Sequence, residues 1–380
     1  MAKVEFFGKM PNPFQRADGS LISPSEWESE KQKIRDFVID FEYGGMPPKP
    51  ELVEFELLNH PIGRGSPFWY RVSAGTRERQ INFLLELSVP TIDHPCDEEV
   101  LFFEGERFPV LLTGDMCYTG MDRSVIAEAN GRGYIAAAFN RLELCKDKHG
   151  ADPDWKRGGL HEIYPEFPDF SAISAWAWGY SVCMDVFERL PFVDECEVGI
   201  TGHSRGGKTV MLAAAADERI KYVCPNNSGC HGAVSYRTSV TEQGDEKKRS
   251  ERLADMLDRF PSWMGKRLFD YRDREGELPY DMHYFGALIA PRYYIQLEGM
   301  QDYWINPMGS WQNFWAVKEC YRYLGCEGNA AAYFRPGKHR HELPDYTEFL
   351  DFMDRMRKGL PLHEHWCVNP YPDMPKNFDF

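Results

Sequence analysis

The residues best placed to do chemistry in this chain are a serine, a carboxylate and a histidine, in an order that suits acyl transfer. Gly202-His203-Ser204-Arg205-Gly206 carries the Gly-x-Ser-x-Gly pattern. It lies between the apolar run Val198-Gly199-Ile200-Thr201 and an Ala-rich helical stretch from Lys208 to Ala216. A chain turning abruptly from strand to helix strains its central residue, and side chains two positions to either side would collide. The turn lifts the Ser204 hydroxyl above the sheet edge. It also presents the Arg205 N–H at a helix N-terminus, where it can hold an oxyanion.

A serine alcohol is a poor nucleophile at neutral pH, so it needs a base, and the base needs an orienting acid. Behind a turn of this kind the chain order is Ser, acid, His. The last apolar run, Ala331-Ala332-Tyr333-Phe334, leads into Arg335-Pro336-Gly337-Lys338-His339-Arg340-His341. His339 and His341 compete for the base, with His339 preferred. Leu297-Glu298-Gly299-Met300-Gln301-Asp302 offers two carboxylates. Asp302 is preferred to Glu298 because it lies on the turn beyond the strand, stiffened by Trp304 and Pro307.

Elements able to hold these groups are legible in the apolar pattern. Residues 53–58, 68–72 and 81–87 alternate like antiparallel edge strands, punctuated by Gly63, Gly65, Pro67 and Gly75. Strand and helix then alternate. Val110-Leu111-Leu112, Tyr134 to Phe139, Val198 to Thr201, Tyr222 to Cys224, Tyr293 to Leu297 and Ala331 to Phe334 read as strands. Ser124 to Ala129 reads as helix, and Ile173, Trp176, Ala177, Tyr180, Met184 and Phe187 recur at helical spacing as core. A closing helix carries Tyr346, Phe349, Leu350 and Met353, with Gly359 as its stop. Such alternation predicts an α/β fold, a mostly parallel sheet with helices on both faces. The expected organisation is an N-terminal arm or cap over 1–52, with an amphipathic stretch from Trp27 to Phe41. One domain follows over 53–360, interrupted by a polar insertion at about 235–278, and 361–380 form a tail.

Composition narrows the partners. With 44 Lys+Arg against 59 Asp+Glu the net charge is −15, and no basic stripe occurs, so nucleic acid and anionic membrane surfaces are excluded. No run of about 20 apolar residues exists to span a bilayer. The ten cysteines are scattered without zinc-knuckle spacing and read as reduced core thiols, with Cys224 and Cys230 the one pair considered for a disulfide. No His/Cys/Asp cluster has ligand spacing, so no metal or cofactor is expected. Met1-Ala2-Lys3-Val4-Glu5 lacks the build of a signal peptide, which leans toward a cytoplasmic location.

With the pieces placed, the sequence resembles the glucuronoyl esterases, carbohydrate esterase family 15, most closely their bacterial branch. The resemblance rests on Gly202 to Lys208, Asn226-Asn227-Ser228-Gly229, Leu278-Pro279-Tyr280-Asp281-Met282-His283 and Ala287-Leu288-Ile289-Ala290-Pro291-Arg292. It continues with Asp302-Tyr303-Trp304-Ile305-Asn306-Pro307 and Arg335-Pro336-Gly337-Lys338-His339. It implies an α/β-hydrolase fold, a three-layer sandwich. It further implies that Arg205 helps hold the oxyanion, that Lys208 binds uronate hydroxyls and that Trp304 packs by the sugar. Trp263, in the insertion, is a candidate wall of the sugar site. One departure stands out: where many members place the catalytic Glu before the Ser-Gly, this chain has Asn227; some bacterial members use a carboxylate after the penultimate strand, a role the resemblance gives to Asp302.

The expected function is a serine esterase cleaving alkyl or aryl esters of glucuronic acid through an acyl-enzyme on Ser204. The resemblance implies esters joining glucuronoxylan side chains to lignin alcohols as the target. Two alternatives are carried: an acetyl esterase acting on acylated sugars, and a non-catalytic carbohydrate-binding protein in which Asn227 is a relic.

Overall fold

Short apolar runs separated by helices build one nine-stranded sheet and a smaller three-stranded one. The computed structural model describes residues 2–59, 67–90, 105–118, 121–242 and 245–380. In chain order the elements are β1 (Ala2–Phe6), α1 (Trp27–Tyr43), β2 (Leu52–Leu57), β3 (Phe68–Gly75), β4 (Gln80–Ser88), β5 (Phe108–Thr113) and α2 (Arg123–Gly131). There follow β6 (Ile135–Phe139), α3 (Leu160–Ile163), α4 (Ala172–Phe187), β7 (Val193–His203), α5 (Arg205–Ala216), β8 (Tyr222–Asn226), β9 (Thr238–Glu242) and β10 (Asp245–Arg249). The last are α6 (Leu253–Arg259), α7 (His283–Ile289), β11 (Tyr293–Gly299), α8 (Pro307–Tyr323), β12 (Ala330–Arg335) and α9 (Leu343–Arg357).

The large sheet runs β12-β11-β8-β7-β5-β6-β4-β3-β2. From β12 to β6 every pairing is parallel, and β4, β3 and β2 add antiparallel strands at one edge. Successive side chains of a strand point to opposite faces. In β5, Val110 and Leu112 accordingly enter one core with α4 and α5, whereas Leu111 enters the other with α9. That is the expected three-layer α/β sandwich. Trp176, Tyr180, Met184 and Phe187 of α4 are all fully buried, so the aromatic stripe is core.

Several boundaries differ from the sequence reading. Helix α5 begins at Arg205 rather than Lys208, because Ser204 is itself its N-cap. Strand β7 starts at Val193, five residues early. Helix α8 escapes the periodicity reading altogether, since it buries Ser310, Gln312 and Asn313. Gln312 is satisfied from afar: its Nε2 donates to Pro375 O at 2.6 Å, and its Oε1 accepts the Asn377 N–H at 3.0 Å.

The small sheet, β1-β9-β10, ties the N-terminal arm to the insertion, with Val4 opposite Val240. The tail returns to the body too, burying Trp366, Met374 and Phe378. All described cysteines are free, Cys224 and Cys230 included, so the disulfide considered for that pair is absent. Cys96, Gly63 and Gly65 lie outside the described residues. Among the described residues no helix is long and apolar enough to cross a membrane, and no group of three or more His, Cys, Asp or Glu side chains could hold a metal.

Candidate active site

Strand β7 delivers Ser204 directly onto α5. Its φ of 57° and ψ of −119° lie where non-glycine residues seldom go, and the surroundings hold it there. The Ser204 N–H donates to Asn226 O at 2.9 Å, and its carbonyl accepts the Lys208 N–H at 3.2 Å. A Cβ on Gly202 would sit 2.5 Å from the Gly206 carbonyl oxygen, and one on Gly206 would strike the Asp115 carboxylate. Asp115 braces the turn: its Oδ2 accepts the His203 N–H at 2.7 Å, and its Oδ1 pairs with the buried Arg141. Burial pushes Arg141 down to about 10, which still leaves it charged at neutral pH.

Base and acid meet through two interlocked turns. After β11, the Met300 and Gln301 N–H groups donate to Arg335 O and Gly337 O, each at 2.9 Å. Gln301 Oε1 accepts the Gly337 N–H in return. Gly299 has Lys338 O at 2.5 Å from where a Cβ would stand, so only glycine allows this approach. The result puts His339 Nδ1 2.6 Å from Asp302 Oδ2. That oxygen also accepts Asn227 Nδ2 at 3.0 Å.

The competing residues go elsewhere. Glu298 is fully buried within β11, contacted by Gln296 Nε2 at 3.3 Å, and burial pushes its carboxyl up to about 8. A protonated carboxyl cannot stabilise an imidazolium. His341 stacks on Tyr346 with centroids 4.0 Å apart, and burial drives its pKa well down. His203 lies 4.2 Å from His339, centroid to centroid, with Nδ1 2.7 Å from Asn226 Oδ1. Burial, then the neighbouring His339, lowers it to about 4, so it stays neutral beside the base.

Around the serine the cations are held differently. Arg205 Nη1 pairs with Asp147, and its guanidinium lies 4.7 Å from the Trp263 ring and 5.1 Å from Phe260. Among the described residues, its Nε and Nη2 have no protein acceptor and remain available. Trp263 is 3% exposed, stacks on Phe260 at 3.9 Å and donates Nε1 to Asp147 Oδ1 at 3.1 Å. It therefore frames Arg205 and offers no open face. Lys208 is 2% exposed and donates to Ser228 O and Cys230 O, each at 2.5 Å, with Glu251 Oε1 3.7 Å away. Its ammonium is thus held by two carbonyls and the Glu251 carboxylate. Glu251 is buried, accepts the Cys230 N–H at 2.7 Å, and has its pKa raised by that burial. Trp304 is 38% exposed, with Arg259 5.4 Å from its ring.

Sequence reasoning missed Asp147 and Glu251. Neither sits in a motif: Asp147 meets Arg205 and Trp263 from 58 and 116 residues away.

A family model described as glucuronyl esterase of fungi matches residues 81–325. A 4-O-methyl-glucuronoyl methylesterase of Cerrena unicolor is 25% identical over 340 residues, 88% of this chain and 65% of that protein. A carbohydrate esterase from an unknown prokaryotic organism is 31% identical over 258 residues, 62% of this chain and 56% of that one. This chain thus spans less than two thirds of the length of both relatives. The solved carbohydrate esterase family 15 glucuronoyl esterase of Caldicellulosiruptor kristjansonii superposes with a TM-score of 0.78 at 24% identity, covering 97% of each chain. Its fold is this fold. On the family model's match across most of the sheet and the whole elbow, the chain belongs to the glucuronyl esterase family.

Proposed function

We propose that this chain is a serine carboxylic ester hydrolase acting on alkyl or aryl esters of glucuronic acid. The observation that carries the reading is the Asp302–His339 pair at 2.6 Å, held by interlocked turns at the end of the sheet that also carries the Ser204 elbow. Asp302 fixes the imidazole so that its other nitrogen is a base, and its charge favours the imidazolium that forms when Ser204 gives up its proton. Ser204 Oγ attacks the uronoyl carbonyl. The Arg205 N–H and its guanidinium hold the developing oxyanion, and this attraction grows as charge forms. The alcohol leaves with a proton from His339, and water repeats the sequence to release the uronate.

Recognition of the acid's sugar is supported by Lys208 beside Glu251, a donor and an acceptor 3.7 Å apart, which suits neighbouring hydroxyls. Trp304 supplies the exposed apolar face for a pyranose ring. The relatives' names point the same way.

The test is hydrolysis of benzyl glucuronate by the wild type beside Ser204→Ala, Asp302→Asn and Glu298→Gln. Ser204→Ala abolishes turnover, Asp302→Asn lowers kcat by on the order of 10⁴, and Glu298→Gln retains the wild-type rate. Faster turnover of acetylated xylose than of benzyl glucuronate would reverse the assignment in favour of a deacylase.

A further inference from the structure

Asn227 stands at the C-terminal end of β8 with its side chain fully buried. Its backbone has a φ of 42°, in the left-handed region that Asn, Asp and Gly tolerate best. Its N–H donates to Leu297 O at 2.9 Å, which anchors it between β8 and β11. Its side-chain nitrogen donates to Asp302 Oδ2 at 3.0 Å. Its side-chain oxygen has no hydrogen-bond partner among the described residues. A buried amide oxygen without a donor is costly, so the residue gives up one hydrogen bond to keep the other. The oxygen it contacts is the one that receives His339 Nδ1.

We propose that Asn227 is a positioning residue of the catalytic triad, whose amide holds the Asp302 carboxylate oxygen in line with His339. The assignment rests on the esterase reading above for its kinetic consequences, but not for its geometry. A hydrogen bond from a neutral amide favours the ionised carboxylate without adding charge. A second carboxylate at this position would stand about one hydrogen bond from the first. It would either share a proton with Asp302 or add a negative charge beside the imidazole. The charged and titratable groups around this point are His339 on the β12–α9 turn, His203 at the end of β7, Glu298 on β11, Arg335 at the end of β12 and Glu251 in the insertion. None of them contributes a hydrogen bond to Asp302 Oδ2 apart from His339.

Two substitutions accommodate the backbone and separate orientation from charge. Asn227→Gly removes the donor without opposing the positive φ. Asn227→Asp keeps the shape and adds an ionisable group. On benzyl glucuronate, Asn227→Gly should lower kcat roughly tenfold or more, the worth of one hydrogen bond to a charged group, with KM nearly unchanged. In Asn227→Asp the acid limb of kcat/KM against pH should move upward by about one unit, because an added negative charge retains the His339 proton. Proton NMR supplies a readout free of substrate. The His339 Nδ1 proton, identified by its loss in His339→Ala, should shift in both Asn227 variants. If both variants fold, keep the wild-type kcat and acid limb, and leave that proton unmoved, the proposal is overturned. If the NMR signal shifts as expected while the wild type hydrolyses no glucuronate ester, the positioning stands and the assigned activity falls.

Discussion

Asp147 holds Arg205 and Trp263 with its two carboxylate oxygens, so the cation next to the nucleophile is fixed from the far side of the site. One oxygen takes Arg205 Nη1, and the other takes the indole N–H at 3.1 Å. The guanidinium lies 4.7 Å from the Trp263 ring and 5.1 Å from Phe260, two rings stacked on each other. In the proposed mechanism such preorganisation spares the donor any reorientation when charge appears on the substrate oxygen.

Removing the cation and removing its holder should therefore differ in size. Arg205→Ala should lower kcat by on the order of 10²–10³, as for other lost oxyanion donors. Arg205→Lys should recover little, since an ammonium cannot bind Asp147 and the oxyanion with one planar fork. Asp147→Asn should cost roughly tenfold, one weakened charge-assisted bond of about 1.5 kcal/mol. Steady-state kinetics on benzyl glucuronate checks the ranking; an Asp147→Asn enzyme as impaired as Arg205→Ala would contradict it.

Glu298 should make stability depend on pH. Its folded carboxyl titrates at about 8, raised by burial from an ordinary value of 4.5. Below that ordinary value both folded and unfolded chains carry the proton, and the contribution is fully present. As pH rises toward 8 the unfolded chain releases the proton and the folded one keeps it. Stability then falls, by roughly 1.4 kcal/mol per pH unit at most. Glu298→Gln should flatten this decline, which urea unfolding at pH 5, 6.5 and 8 would measure. Parallel pH slopes in the two proteins would refute the account.

Gly206 has no room for a methyl group, because Asp115 occupies its space. Gly206→Ala should displace Asp115 from the His203 N–H and from Arg141. The expected loss is about 1–3 kcal/mol of stability, the usual range for overpacking, with a larger loss of turnover. Gly105→Ala meets nothing within 4 Å among the described residues, but its positive φ strains alanine. Thermal unfolding of the two variants would show whether the steric term exceeds the backbone term.

Trp304 should act on affinity and not on bond cleavage. Trp304→Ala should raise KM for benzyl glucuronate about three- to tenfold, the worth of one lost aromatic contact, with kcat little changed. A fall in kcat at constant KM would move Trp304 from the sugar to the turn that carries Asp302.

Much of the site is written in local patterns. An apolar strand, two small residues flanking a serine and an Ala-rich helix are all neighbours in sequence, so the elbow can be read from Val198 to Ala216. The last strand and the loop after it are equally local, which is why His339 and His341 stand out together. Choosing between them needs burial: His341 lies flat on Tyr346, whereas His339 reaches Asp302. The carboxylate choice is of the same kind. Glu298 and Asp302 are four residues apart, yet strand pleating sends one into the core and the turn brings the other to the histidine.

The α/β class, the serine elbow and a short set of candidate acids and bases are legible from local patterns, because strand and helix periodicity and turn chemistry act over a few residues. The rest depends on long-range packing. Packing joins the arm to the insertion through β1 and β9, satisfies the polar side of α8 from the tail, and sets Asp147 on Arg205 and Asn227 on Asp302. Those partners are separated by 58 to 240 residues. Hydrogen bonds and ion pairs are fixed by distances of about 3 Å, and only the closed sheet with both its cores brings such residues that close.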